Sequence, residues 1–449
     1  MAIIEKPKAP EAAPQAPPPR PAAQPVPLPL YVGRTTRVVG PQQNVNPQDM
    51  PHARNARGEL GKALFHWCHN QPSKDPLGRI AMGIHAADGR NVVTDAFGKG
   101  KGKVNPHKTP VSDPAVMAQH IKRVAKFMGA DAVGIAPVDP AYLYVGNLSD
   151  YGTADDDRGD PAIQAKRYPY AIVCAVAWDY EMGKAHRHRI GDAAYHFSQQ
   201  WSNILLQNLS AYIRELGYSA VQRGAAPMPM AVLAGLGEVG RNGMLITEKF
   251  GARVHLPDVI LTDLPLATDK PIDIGVEEFC GECRKCASTC PTNSIPMGDK
   301  VVHNGVEKYK VNWETCYRLR PYVHEYWEIC LTCVTVCPYT KPNVWWRTLA
   351  VKALATTPPS LRLPLVKTLK WLDDRIWGVI PRERVKWLGY DTGVQPGEKA
   401  CTIAGCNAHG EEAAATKDNN IGYYPPMREN TRRFEAQQQR AKEGRLKQR

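Results

Sequence analysis

The sequence predicts an α/β core of stacked helix and strand layers, with a cysteine-rich module set into it. Two observations carry this. Between residues 112 and 263, stretches with helical apolar spacing alternate with short, continuously apolar runs, as helices laid on a sheet require. Between Cys280 and Pro338 stand eight of the twelve cysteines.

The first thirty residues are rich in Pro and Ala and read as a disordered arm. Residues 31–110 are rich in Gly, Asn and His with little periodicity. They read as an irregular layer wrapped on the core, including the apolar run Ala63 to Cys68. Asp113 is placed to cap a helix with Pro114 at its first position. Met117, Ile121, Val124, Ala125 and Met128 follow at helical spacing, and Gly129 ends the helix. Ala132 to Ala136 reads as a strand. Tyr170 to Trp178, apolar almost throughout, reads as a strand buried on both faces. The longest helix is expected from about Asp192 to Leu216. Its apolar face would be Phe197, Trp201, Ile204, Leu205, Leu209, Tyr212, Ile213 and Leu216.

Gly235-Leu236-Gly237-Glu238-Val239-Gly240 spells G-x-G-x-x-G, with Asp258 some way downstream. The Arg-Asn-Gly that follows is a poor helix start, so a dinucleotide loop is not expected. So many glycines better suit a backbone lying close against a large flat cofactor. Asp258 to Asp263 is a further strand. Trp345 to Gly389 is aromatic, basic and partly helical, and residues from about 390 are loop-like with a charged tail.

The cysteines read Cys280-x2-Cys283-x2-Cys286-x3-Cys290-Pro291, then Cys316, then Cys330-x2-Cys333-x3-Cys337-Pro338. This is the two-cluster ferredoxin pattern, in which the fourth Cys of each run ligates the other cluster. Cys280, Cys283, Cys286 and Cys337 are assigned to one [4Fe–4S] cluster. Cys290, Cys316, Cys330 and Cys333 take the other. Zinc sites usually show paired C-x2-C without the x3-C-P endings. Cys68, Cys174, Cys401 and Cys406 show no disulfide framework.

Net charge is +13, from 57 Lys+Arg against 44 Asp+Glu, and the tail is basic. Such a balance suits an acidic electron-donor protein. No nucleic-acid partner is expected. No run of eighteen apolar residues exists, and residues 1–29 have no apolar stretch of the kind export signals carry. The expected location is cytoplasmic. Membrane contact is at most peripheral, through Lys352, Arg362, Lys367 and Lys370 of the basic aromatic stretch.

Several of these segments resemble one family. They are Ala234 to Thr247, Phe250-Gly251, Leu261 to Leu266, Tyr212 to Ala220, the two cysteine runs, Trp345-Trp346 and Leu372-Asp373-Asp374. Over roughly residues 45–390 the chain resembles the corrinoid-dependent reductive dehalogenases. The resemblance implies a nitroreductase-like corrinoid-binding core with its wrap (31–275), a ferredoxin-type module (276–342) and a C-terminal covering segment (343–449). It implies a base-off cobalamin contacted by Gly235, Leu236, Gly237 and Arg241, and a small organohalide substrate. Electrons would come from a separate low-potential donor: a ferredoxin, a flavodoxin or a reductase. The proton donor the resemblance implies is a Tyr beside a cation. Tyr195 and Arg253 are the pair expected, with Arg241 and His255 as other partners and Tyr180, Tyr212 and Tyr218 as other tyrosines. Arg318 and Arg320 would line the site or balance cluster charge. A His-ligated corrinoid is not expected, because position 186 is His where the D-x-H-x-x-G pattern ending at Gly191 needs Asp. Epoxyqueuosine reductases share the architecture and form the alternative. They lack the tryptophan pair and the long tail.

Overall fold

The computed structural model describes residues 34–56, 103–145, 160–184, 189–222, 224–290, 292–318, 330–342 and 344–378, with the backbone of 386–387 and 390–391. The Pro-rich arm, the Ala63 to Cys68 run, His186, His188, Arg320, Cys401, Cys406 and the tail lie outside the described residues, as does the side chain of Arg318.

Strand β1 (Arg37–Val38) and helix α1 (Pro51–Ala56) precede the core. Helix α2 (Pro114–Phe127) forms where the sequence predicts it. The Asp113 side chain accepts from the Ala115 N–H at 2.7 Å, and Pro114 sits where no N–H is needed. Strand β2 (Ala132–Pro137), helix α3 (Pro161–Arg167), strand β3 (Tyr170–Ala177), helix α4 (Tyr180–Gly183) and helix α5 (Arg189–Glu215) follow. Strand β4 (Ala220–Gln222), helix α6 (Pro227–Leu233) and strands β5 (Glu238–Val239), β6 (Leu245–Ile246), β7 (Val254–His255) and β8 (Ile260–Thr262) complete the core.

The main sheet runs β2-β3-β8-β4, with β7 beside β3. Strand β3 is its centre, pairing Ile172 with Ile135 on one side and Ile260 on the other. Alternate residues of β3 serve two cores. Ala171, Val173 and Ala175 pack with Met230, Ala231 and Leu233 of α6. Ile172, Cys174 and Val176 pack with Ile121, Leu205, Leu209 and Ile213 of α2 and α5. A strand covered on both faces has no position for a polar residue, which is why it reads as a continuous apolar run. The layering is as expected. The strand pairings of this sheet are antiparallel, however, so it is not the parallel α/β sheet that strand–helix alternation commonly builds.

Helix α5 departs from its expected face. Phe197 and Trp201 point outward, 58% and 41% exposed. Small residues line the inner face instead: Ala193, Ala194, Ser198 and Ser202 are buried. They let the N-terminal half of the helix approach its neighbours closely, while Leu205, Leu209 and Ile213 of the expected face are buried in the second half.

The module comprises helix α7 (Val276–Cys283), helix α8 (Lys285–Ser288), the hairpin β9 (Val301–His303) and β10 (Val306–Lys308), helix α9 (Trp313–Arg318) and helix α10 (Thr332–Thr335). Helices α11 (Trp345–Thr356) and α12 (Arg362–Ile376) cover it. The segment before the core straps module to core. Strand β1 extends the β9–β10 hairpin, Arg34 pairs with Asp273 and Glu278, and Arg54 pairs with Glu314 at 2.9 Å. From the same segment, Asn44 donates to the carbonyls of Pro140 and Leu143.

Arg362 is not a surface cation. It is buried and pairs with Asp273 at 2.6 Å and Glu278 at 3.3 Å, so only Lys352, Lys367 and the half-buried Lys370 remain of the expected basic face. Helices α11 and α12 enclose an apolar cavity of about 400 Å³ against Phe279 and Tyr339, where Trp346 stacks on Trp377 at 5.1 Å. Among the described residues no helix is long and apolar enough to cross a membrane.

Candidate redox site

The eight cysteines are free thiols. Cys286 has Cys280, Cys283, Cys333 and Cys337 as neighbours. Cys333 is surrounded by Cys316, Cys330 and Cys290, with Cys337 also near. The two Cys-x2-Cys loops turn the same way. Arg284, directly after Cys283, has φ 52°, and Leu331, directly after Cys330, has φ 47°. Left-handed backbone at a non-glycine residue is strained and needs a reason. Here the same turn is used twice, once in each cysteine run. Burial lifts the Cys283 thiol to about 12 and pushes Cys280, Cys286 and Cys333 up as well. Iron draws the proton off such a thiol on ligation. Among the described residues no three His, Cys, Asp or Glu side chains converge on one point as a single ion demands.

The glycine-rich stretch joins core to module. The Arg241 N–H points to the Cys280 sulfur at 3.4 Å, and its guanidinium donates to the carbonyls of Cys280, Pro296 and Gly298. The same guanidinium lies 3.9 Å from the Tyr309 ring centroid. Asn242 donates to the Cys333 carbonyl at 3.4 Å. One loop therefore touches both cysteine sets. Its glycines make room for the chain itself: a Cβ at Gly235 would meet the Lys270 carbonyl, and one at Gly237 the Ile246 carbonyl. Gly235, Leu236, Gly237 and Arg241 were expected to contact a flat cofactor. The partners this structure gives to Gly235, Gly237 and Arg241 lie within the chain, and Leu236 is packed into the core.

Beside the first cysteine set lies a group of buried charges that sequence reading missed. Lys285 pairs with Asp373 and, at 2.5 Å, with Asp374. Burial works to lower the Lys285 pKa, but Asp373, Cys283 and Asp374 together hold it above the ordinary lysine value. Lys341, lowered by burial, donates to the Thr335 carbonyl at 3.1 Å. Residues 285 and 373 are 88 apart in the chain, and no local pattern couples them.

Tyr195 sits half-buried near the head of α5 in an aromatic basket. Its ring meets Trp178, His196 and His255 edge-on, with centroids 5.5, 5.3 and 5.4 Å away. His255 is held by Ser202 at 2.9 Å. Arg253 is buried and donates to the Trp178 carbonyl at 2.5 Å, so Tyr195 and Arg253 are both anchored on Trp178. Burial lowers the Arg253 pKa, with Asp179, Asp131 and Tyr180 opposing. The Tyr180 ring centroid lies 5.9 Å from that guanidinium. Tyr212 and Tyr218 are elsewhere: Tyr212 bonds His120, and Tyr218 donates to the Thr109 carbonyl.

Residues 279–341 match the 4Fe-4S dicluster domain, a span holding all eight cysteines. The module's cofactors are two [4Fe–4S] clusters. The tetrachloroethene reductive dehalogenase of Sulfurospirillum multivorans is 31% identical over 264 residues, 52% of this chain and 52% of that one. That of Dehalobacter restrictus is 30% identical over 325 residues, 62% of this chain and 55% of the relative. The chain is similar to the reductive dehalogenases. The similarity extends to the fold. A solved catabolic reductive dehalogenase superposes with a TM-score of 0.61 at 24% identity, over 78% of this chain and 50% of that one. The chain spans about half the length of the reductive dehalogenases it matches. The epoxyqueuosine reductase of Lactococcus garvieae is 28% identical over 177 residues, 36% of this chain and 46% of that one.

Proposed function

We propose that the chain performs reductive dehalogenation of a small organohalide, with electrons entering through the two clusters. The observation that carries this is the loop from Gly240 to Met244. It bonds both cysteine sets through Arg241 and Asn242 and runs on through β6 to Arg253 and, in β7, to His255, whose ring meets Tyr195. An electron wire and an acid–base group thus meet across one short stretch of chain.

A corrinoid fits this side of the core. Tyr195, Trp178 and His255 offer an aromatic wall for a flat ring, and Arg253 keeps a buried Nε–H without a partner, a donor for an amide arm. Arg253 and His255 are the residues that would hold it. A bound cobalamin would supply the two-electron reduction of the carbon–halogen bond. The balance is one organohalide, two electrons and one proton giving the hydrogen-substituted product and halide. The Tyr195 hydroxyl would deliver that proton to the carbon. A phenol is a reluctant acid, with an unperturbed pKa of about 10, and a permanent cation nearby favours its phenolate. Arg253 stays charged at any working pH and suits that part. The electrons would come from a separate low-potential donor, and the net charge of +13 favours an acidic one.

Anaerobic reconstitution with iron, sulfide and cobalamin, followed by a chemical reductant and a panel of chlorinated alkenes and halophenols, tests the reading. Cobalamin-dependent halide release is expected. Conversion of epoxyqueuosine in tRNA without any halide release would instead select the alternative reductase.

A further inference from the structure

Leu372-Asp373-Asp374 stands out in the sequence without an assigned part in the chemistry. In the structure both carboxylates pair with Lys285, inside the Cys283-Arg284-Lys285-Cys286 loop. Lys285 is only 2% exposed and also reaches the Gly378 carbonyl at 3.5 Å. Lys341, four residues after Cys337, is 6% exposed on the same side. The thiols beside these charges are Cys283 and Cys337. Both belong to the first cysteine set, whereas Cys333 has other thiols as its charged neighbours.

We propose that Lys285, Lys341, Asp373 and Asp374 form a charge lock that sets the reduction potential of the cluster held by Cys280, Cys283, Cys286 and Cys337, leaving the other cluster's potential alone. Reduction adds one negative charge to a cluster. A buried cation beside it favours the reduced form and raises the potential, and a buried carboxylate does the opposite. The four hold two cations and two anions, and the more exposed Lys370 lies 3.6 Å from Asp374, so deleting any one of the four shifts the local charge by one unit in a poorly screened place. The lock also ties α12 to α8, which keeps that helix over Cys283. These four are positioning and tuning residues, since nothing in the argument has them touch substrate. The inference rests on the two-cluster reading and not on dehalogenation, because its test reads potentials rather than turnover.

The experiment is an EPR-monitored reductive titration of the reconstituted full chain, which should give two midpoints. Cys283→Ala identifies the first cluster's midpoint by removing it. Asp373→Asn is expected to move that midpoint positive, and Lys285→Met to move the same one negative, with the second midpoint fixed in both. A purely structural role would loosen α12 in either variant and shift the midpoint the same way in both. Equal-direction shifts, no shift, or movement of both midpoints together would overturn the lock. Lys341→Gln, which leaves the Lys285–Asp373 pair intact, is expected to shift the first midpoint negative and decides the sign if Lys285→Met loads poorly. Loss of the first cluster's iron in all three variants would also overturn the inference, because residues that only tune a cluster do not prevent its assembly.

Discussion

Tyr195 is fixed by three edge-on ring contacts, so its hydroxyl can be removed without disturbing the packing. Tyr195→Phe is expected to keep both clusters and any bound corrinoid while lowering the turnover rate by roughly 10²–10⁴-fold, the usual range for a general acid. Wild-type turnover with full cofactor loading would transfer the role to Tyr180, whose ring faces Arg253. Glu238 makes a second case at this scale. Burial lifts its carboxyl to about 7, against N–H groups of Ile274 at 2.8 Å and Val276 at 3.3 Å that favour the charge. The folded value lies above the unfolded one, near 4.3, so the folded state binds more protons between them. The stability this group contributes is therefore complete below about pH 4 and is lost as pH rises through 7. Glu238→Gln keeps an acceptor for both N–H groups and removes the charge. Its melting temperature should match wild type near pH 4 and exceed it at pH 8, by an effect of at most roughly 3.7 kcal/mol. A difference that is the same at both pH values would show that ionisation of Glu238 is not the cause. Neither Glu238 nor Trp178 could be singled out from sequence, because their roles depend on segments that only folding brings near.

Elements were legible in proportion to how local their causes are. Helix α2 carries its own cap and stop, and β3 announces its burial by composition, so both stand where the sequence puts them. The first half of the inner face of α5 depends on close approach by Ala and Ser, and side-chain size misled the reading at Phe197 and Trp201 while Leu205, Leu209 and Ile213 stand as read. The cysteine runs were legible as a two-cluster module, since ligand spacing is a local property. The glycine-rich stretch was legible as a place of close approach, but what approaches is the chain's own backbone. Gly251 shows the same principle in a turn between β6 and β7. It has φ +58°, exchanges backbone bonds with Thr247, and would drive a Cβ into the Tyr339 carbonyl. That carbonyl already accepts from Arg347, which also holds Lys249. Gly251→Ala is expected to destabilise by more than ~1 kcal/mol, the usual penalty being increased by the clash. Thermal unfolding that matches wild type would mean the Tyr339 segment moves aside freely.

At the scale of the whole molecule, the ties that join module and core include three: the Arg241–Asn242 loop, the strap of residues 34–54, and the Gly251–Tyr339–Arg347 contact. None was visible in sequence, since each joins segments that are distant in the chain. Within the module the cysteines lean on two cores. Cys280, Cys283 and Cys337 border the cluster of Val276, Phe279, Tyr339 and Val366, while Cys290 packs with Ala287, Ile295 and Val311, where Cys286 of the first set also lies. Cys333 touches both. This division bears on what happens when one cluster is lost. Cys283→Ala removes a ligand from the first set only, and the second set keeps its four thiols, the packing of Cys290 on Ala287, Ile295 and Val311, and the Leu331 turn. The three ties do not pass through Cys283, so the module should stay docked. Iron should fall from about eight to about four per chain, since each [4Fe–4S] cluster carries four. The remaining cluster should keep its EPR signal, and the strap should still protect the β1–β10 amides from hydrogen exchange. A fall towards zero iron would mean that the module assembles as one cooperative unit, with Cys333 and the crossed fourth cysteines coupling the two sites too tightly for either cluster to survive alone.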